Sequence, residues 1–302
     1  MIVITGQTAT GKTKLALEYA HLYHGELISC DSRQAYKNLN IITGKDIPVD
    51  QLKFEVIERI GNFDIGFYPY FNTKIWLYDI ISPRHYFSSF DWVRCARIAV
   101  NKIKKRNKTP IIVGGSYFYL RHLIYGVATE NIPPNWSLRK QLAKKTVEEL
   151  QEIIKKINHS FFNQLNESDK KNPHRLIRKI EILQAGKKLF LRKESRKLIV
   201  HPQIFLGLKF KNKEKLVEAI KKRILQRLKL GAIDEVKNLL KQGFDANSPG
   251  LNTIGYRSLI AYLRGKLSQR EAVEEWIKEE IQYAKRQYTF MKKDENISWR
   301  EI

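Results

Sequence analysis

An α/β fold, a parallel sheet flanked by helices with a helical segment inserted, is what this 302-residue sequence predicts, and three observations carry it. The chain opens on a β-branched apolar run that passes through a glycine-bearing turn into a helical pattern. Apolar runs of the same kind return near residues 26, 109 and 204, with helical spacing between them. Between residues 126 and 199 the strand signal stops and helical patterns alone remain. A chain of this length can bury a full α/β core and still carry a second, smaller unit.

Met1-Ile2-Val3-Ile4-Thr5 reads as a buried strand, and Leu15, Ala16, Leu17 and Ala20 mark the helix beyond it. Between them stand Gly6, Gln7, Thr8, Ala9, Thr10, Gly11, Lys12 and Thr13, a phosphate loop in the order its chemistry requires. The glycines let successive backbone N–H groups aim at an anion, Lys12 adds a full charge, and the Thr13 hydroxyl is placed to ligate a Mg²⁺ shared with the phosphates. A diphosphate or triphosphate is the expected ligand.

Glu26 to Cys30 is the second strand and delivers Asp31, Ser32, Arg33 and Gln34 to its carboxyl end, where ligands of open parallel sheets sit. A carboxylate at Asp31 has three uses there: to ligate Mg²⁺, to cap the next turn, or to take a proton from a substrate. Residues 38–48 form a polar loop with a turn at Thr43-Gly44-Lys45. Residues 63–71 suggest a hairpin or insertion at the sheet edge, and 76–81 is strand-like up to the stop at Ser82-Pro83. Phe90 to Lys105 is helical, ending in cations suited to its dipole. Thr109 to Gly115 is a third buried strand that ends in two glycines, where a P-loop ATPase would place a Mg²⁺-ordering aspartate. That speaks against ordinary ATP hydrolysis.

Beyond the break at Pro133-Pro134, Leu138 to Ile157 is an amphipathic stretch. Eleven Lys/Arg then stand between Lys170 and Lys197 against Glu181 and Glu194. Ile204 to Leu208 returns the chain to the sheet, and the remainder is helical, with Arg223 and Arg227 on one helix face and a last long helix near 269–292 whose aromatics are expected in the core.

The 55 Lys+Arg against 31 Asp+Glu leave a net charge of +24, more than a small polyphosphate requires. A large polyanion is the expected partner, with a membrane surface second. No run of eighteen apolar residues and no signal-peptide core is present, so a cytoplasmic protein is expected. Cys30 and Cys95 lack any zinc or disulfide spacing and are expected as buried thiols.

Six separated segments, GQTATGKT, CDSRQAYK, IIVGGSYFYL, NPHRLIRKIEI, NTIGYR and YAKRQYTF, occur in the order and approximate spacing of the tRNA dimethylallyltransferases, and the chain resembles that family over nearly its whole length. The resemblance implies a P-loop-like catalytic core over 1–125 and 200–302, a helical tRNA-binding insertion over 126–199, and dimethylallyl diphosphate and Mg²⁺ as reactants. The acceptor it implies is N6 of the adenosine 3′ of the anticodon, with the tRNA held by its anticodon stem-loop and the enzyme a monomer. It further implies that the loop cradles a diphosphate leaving group, that Asp31 serves the amine proton, and that Thr8 hydrogen-bonds the bridging oxygen. Arg227, in preference to Arg223, is assigned the diphosphate. The family's tRNA contacts map onto Asp31, Ser32, Arg33, Gln34, Ser116, Arg139, His174, Arg175, Arg178, Asn252, Thr253, Ile254, Gly255, Tyr256 and Arg257. Gln7 stands where proline is usual, Ser116 where threonine is usual, and Tyr117 where a small or apolar residue is usual. The rival readings are a small-molecule kinase, an adenylate isopentenyltransferase using free AMP or ADP, and a non-enzymatic RNA-binding protein.

Overall fold

The computed structural model describes residues 1–127, 129–130, 132–186 and 198–302. The chain folds into two compact units, Met1–Ile124 with Val200–Ile302, and Tyr125–Ile199. The first contains an eight-stranded sheet. In chain order its elements are β1 (Ile2–Gly6), α1 (Lys12–Leu22), β2 (Gly25–Ser29), β3 (Glu55–Ile60), β4 (Phe63–Tyr70), β5 (Thr73–Trp76), α2 (Ser89–Lys104), β6 (Thr109–Val113) and α3 (Tyr117–Tyr125). The inserted unit contributes α4 (Trp136–Leu142), α5 (Val147–Asn163), α6 (Glu167–Lys170) and α7 (Pro173–Gln184). After it come β7 (Ile204–Lys209), α8 (Lys213–Lys229), α9 (Ala232–Lys241), α10 (Tyr256–Leu263), α11 (Gln269–Met291) and β8 (Ser298–Glu301).

The strand order is β3-β4-β5-β2-β6-β1-β7-β8. All pairings from β5 to β8 are parallel, and β3, β4 and β5 form an antiparallel meander at one edge. The sheet centre is apolar because β1, β2 and most of β6 are buried on both faces, as parallel strands covered by helices must be. Because β6 lies between β1 and β2, the carboxyl ends of these three strands are neighbours, and their loops form one rim.

Three elements differ from the sequence pattern. The strand expected over 76–81 is Thr73–Trp76, because Leu77 (φ 67°) and Asp79 (φ 54°) take left-handed backbone that ends it. The amphipathic stretch 138–157 is divided between two helices, α4 and α5, since Thr146 and Glu149 form a capping box that starts α5 afresh. β8 has no apolar alternation to announce it; it is a mostly exposed edge strand held by backbone pairing to β7.

In the second unit α4, α5 and α7 gather around Leu150, Ile154, Phe161, Leu176, Ile177 and Ile180, and α6 lies against α7. Of the eleven cations counted from Lys170 to Lys197, the six at 187, 188, 192, 193, 196 and 197 lie outside the described residues. Cys30 and Cys95 are free and buried, and no helix among the described residues is long and apolar enough to cross a membrane.

Candidate active site

The rim at the ends of β1, β2 and β6 holds the chemistry. The first residue of the phosphate loop, Gly6, is fixed by its surroundings: at φ 135°, a Cβ there would lie 2.1 Å from the Leu208 carbonyl oxygen. Ala9 (φ 63°) and Gly11 (φ 75°) also take left-handed backbone, which turns the loop into a concavity of N–H groups. Helices α2, α5, α7, α8 and α11 each have a Ser, Thr or Asn side chain capping their first turn. Helix α1, like α9 and α10, begins at a glycine with no side-chain cap, and of the three it alone starts from the phosphate loop. Its orphan donors and the positive end of its dipole are left for an anion.

Gln7, at the usual proline position, uses the donor a proline lacks: its N–H bonds the Leu208 carbonyl at 3.1 Å. Its Oε1 accepts from Phe210 N at 3.0 Å, so this residue stitches the loop to β7 and the residue beyond it. Thr10 Oγ1 and Lys12 Nζ both donate back to the Gln7 carbonyl. Burial and the nearby Arg223 lower the Lys12 ammonium to about 8, although Asp31, Asp46 and Glu280 oppose the shift.

Helix α11 closes the loop from one side. Gln287, the glutamine of YAKRQYTF, accepts from Thr8 N at 2.9 Å and donates to the Gly115 carbonyl at 3.1 Å. Gly115 is small for that reason, as a Cβ there would fall 2.1 Å from Gln287 Nε2. Two helical turns earlier, Glu280 accepts the Thr8 hydroxyl at 3.1 Å. The same hydroxyl oxygen accepts from Arg223 Nη1 at 2.8 Å. Thr8 therefore directs its single hydroxyl proton at Glu280.

Arg223 and Arg227, one turn apart on α8, converge on the 43–44 turn. A Cβ on Gly44 would lie 2.4 Å and 2.2 Å from their respective Nη2 atoms. Arg227 is buried, and burial with the neighbouring guanidinium holds it down to about 10. Among the described residues neither arginine forms an ion pair with a carboxylate. Two like charges this close mark a place for an anion.

Asp31 stands at the end of β2. Its Oδ1 accepts from Arg33 N at 2.8 Å, so it does cap the turn. That bond uses one oxygen of two, and the carboxylate charge still reaches Lys12 and Tyr283. Ser116 Oγ accepts from Ser32 N at 3.1 Å, tying the β6 rim to this turn. Tyr283 of α11 hydrogen-bonds Ser116, and burial together with Asp31 and Glu280 pushes its phenol up. Half-buried Gln34 accepts from Ser29 Oγ at 2.9 Å and donates to the Gly44 carbonyl at 2.7 Å. Arg33 Nη1 donates to the Pro249 carbonyl at 3.3 Å, which brings the loop before Asn252 beside the aspartate turn.

The loop over 38–48 is less simply polar than its composition suggests. Lys45 is buried and paired with Asp79 at 2.6 Å, and Tyr68 completes that carboxylate at 3.0 Å. Glu235 of α9 accepts from the backbone N–H groups of Asn40, Ile41 and Ile42 and from the Tyr256 hydroxyl at 2.6 Å. Within Asn252 to Arg257, Gly255 and Tyr256 are thus buried fixtures, Thr253 and Ile254 are half-buried, and Asn252 and Arg257 are exposed. Arg257 pairs with Glu279 at 2.7 Å.

The loop held this way presents Asp46, an exposed carboxylate absent from the sequence expectations, to the phosphate loop. Thr13 Oγ1 donates to Asp46 Oδ2 at 3.3 Å. The spacing is near the roughly 3 Å between adjacent ligands of an octahedral Mg²⁺ with ~2.1 Å bonds, and both are hard oxygen donors. The pair fits Mg²⁺. No group of three or more His, Cys, Asp or Glu able to hold a metal occurs among the described residues, so such an ion would complete its shell from phosphate and water.

In the helical unit, Arg139 and Arg178 both pair with Glu181, Arg139 at 2.7 Å. Arg178 also donates to the Thr129 and Ile132 carbonyls, and Asn135 N donates to Glu181. Arg175 pairs with Asp169 at 2.8 Å from an exposed position beside the exposed His174.

The IPP transferase family profile matches residues 70–294. The tRNA dimethylallyltransferase of Acetivibrio thermocellus is 35% identical, with 99% of this chain and 90% of that protein covered. That of Endomicrobium trichonymphae is 33% identical over 99% and 94%. Among solved structures, a tRNA delta(2)-isopentenylpyrophosphate transferase from Staphylococcus epidermidis superimposes with a TM-score of 0.67 at 28% identity, covering 99% of this chain and 92% of that one. A eukaryotic dimethylallyltransferase at 23% identity, covering 100% and 73%, shares the fold with a TM-score of 0.75. Together with the P-loop-like sheet and its rim, these likenesses establish that the chain belongs to the IPP transferase family.

Proposed function

We propose that this protein transfers the dimethylallyl group of dimethylallyl diphosphate to N6 of the adenosine 3′ of the anticodon in tRNA, as a cytoplasmic monomer that grips the anticodon stem-loop. One observation carries the reading: an uncapped helix N-terminus with surplus cations, Lys12, Arg223 and Arg227, shares a rim with the carboxylate of Asp31. A kinase would use the same loop, but the relatives above are named for dimethylallyl transfer to tRNA.

The chemistry asks for help on both sides of an allylic carbon. Adenine N6 is a weak nucleophile because its lone pair is delocalised into the ring. As the N–C bond forms, the C–O bond to the diphosphate breaks and the electron pair leaves with it. The loop N–H groups, Lys12, Arg223 and Arg227 bind that developing charge in a site arranged beforehand. Mg²⁺ held between Thr13 and Asp46 would neutralise further diphosphate charge. Asp31, oriented by its bond to Arg33 N, accepts the N6 proton, a role worth ~10²–10⁴ in rate. The adenine must leave its stack to reach this carboxylate, at a cost of a few kcal/mol that phosphate contacts offset. Exposed Arg175, His174, Asn252 and Arg257 are suited to the tRNA backbone, whereas Arg139 and Arg178 first hold Glu181.

Incubation with Mg²⁺, dimethylallyl diphosphate and either unmodified tRNA or AMP, followed by nucleoside mass analysis, tests the reading. Prenyl-adenosine from tRNA alone is expected. Product from AMP alone, or phosphoryl transfer from ATP with no modified RNA, would overturn it.

A further inference from the structure

Glu280 is a buried acidic side chain that the expected site did not include. It is 9% exposed, and its contact with the Thr8 hydroxyl at 3.1 Å ties it to the phosphate loop. Holding the loop in place does not require an ionised group here, because Gln287 on the same helix already bonds Thr8 N and the Gly115 carbonyl. What a carboxylate adds is charge. It faces Arg223 across the shared Thr8 oxygen, and its field reaches Lys12 and Arg227. Among the described residues it forms no ion pair, so its burial is compensated by that field and by one hydroxyl.

The cations of the site are undercompensated in turn. Lys12, Arg223 and Arg227 crowd a small volume, and a diphosphate entering it meets attraction from all of them. A site built only for tight binding would leave them unopposed. A transferase must also let the diphosphate go, and its binding energy is useful only where it stabilises the transition state above the ground state.

We propose that Glu280 is the internal counter-ion of the diphosphate site: it keeps the Thr8 hydroxyl proton to itself, turns the Thr8 oxygen toward Arg223, and weakens the hold on diphosphate so that the leaving group is released. The inference rests on the reading of this loop as a diphosphate site. Glu280 acts through Thr8 and the arginines and is a positioning residue.

The test is titration of inorganic diphosphate, with Mg²⁺, into the full chain by calorimetry, paired with its inhibition constant in the transfer assay. Glu280→Gln keeps an acceptor for Thr8 and removes the charge, so it should bind diphosphate about tenfold tighter and be inhibited by it to the same degree. Glu280→Asp should remain near the parent protein. Should Glu280→Gln fail to fold, Glu280→Ser, which is smaller and still polar, is read in the same way. Equal or weaker diphosphate binding by a folded neutral variant overturns the proposal while leaving the diphosphate site intact. No diphosphate binding by the parent protein overturns the site and the proposal together.

Discussion

Two clusters of cations in this protein meet acidic groups with opposite results. In the helical unit, Arg139 and Arg178 converge on Glu181, whose remaining acceptor capacity goes to Asn135 N, while Arg178 spends its other donors on carbonyls. Both oxygens of Glu181 are taken, and the cluster ties α4 and the backbone of Thr129, Ile132 and Asn135 to α7. In the core, Lys12, Arg223 and Arg227 crowd together with no direct carboxylate partner among the described residues, beside a helix start without a cap. There the donors outnumber the acceptors. A basic cluster binds an external anion where its charges are unspent, and a count of Lys and Arg along the sequence cannot distinguish the two cases.

The sharpest way to break the closed cluster is Glu181→Ala. It strands two arginines in a poorly solvated place and should cost the helical unit about 3–5 kcal/mol, read as a lower denaturation midpoint. A change below about 1 kcal/mol would mean that the pairs are ornamental. In the open cluster, Lys12→Met should lower transfer by ~10²–10³ with little loss of stability beyond its bond to the Gln7 carbonyl, since Lys12 has no carboxylate partner among the described residues. Glu235→Gln tests the support behind the open cluster. Losing a charged acceptor for three loop N–H groups should cost about 1–3 kcal/mol and raise the Mg²⁺ concentration needed for activity, because that loop carries Asp46.

The smallest effect is in pH. The Lys12 ammonium lies at about 8, below its usual 10.5, and a bound anion favours its charged form and raises it. Below about pH 8 the free protein is already protonated and affinity for dimethylallyl diphosphate is insensitive to this group. Above that point binding must take up a proton, so affinity should fall with rising pH by up to about tenfold per unit. Lys12→Arg, which stays charged, should flatten the profile.

Local signals made much of the fold legible. The apolar runs at β1, β2, β6 and β7 and the Gly6 to Thr13 loop name themselves because a buried parallel strand and an anion-binding turn restrict composition over a few consecutive residues. Asp31 was legible because a strand end is a topological address. Asp46, Glu280 and Gln287 were not, since each reaches the loop across 33 or more positions of chain. The position beside Thr43-Gly44-Lys45 for Asp46 and the glutamine inside YAKRQYTF for Gln287 were the available signals, while Glu280 lies outside that segment. The resemblance places Tyr256 among the tRNA contacts, and in space it is a buried brace whose partner Glu235 lies on another helix.

In this protein the open cluster is expected to take the diphosphate while Asp31 takes the proton. The most direct test of this assignment is the single-turnover rate of dimethylallyl transfer to unmodified tRNA by Asp31→Asn, with tRNA and diphosphate affinities measured on the same protein. The rate should fall by ~10²–10⁴ with both affinities within a few-fold of the parent. A rate within about tenfold of the parent, or a loss explained by weaker binding of either partner, would contradict it.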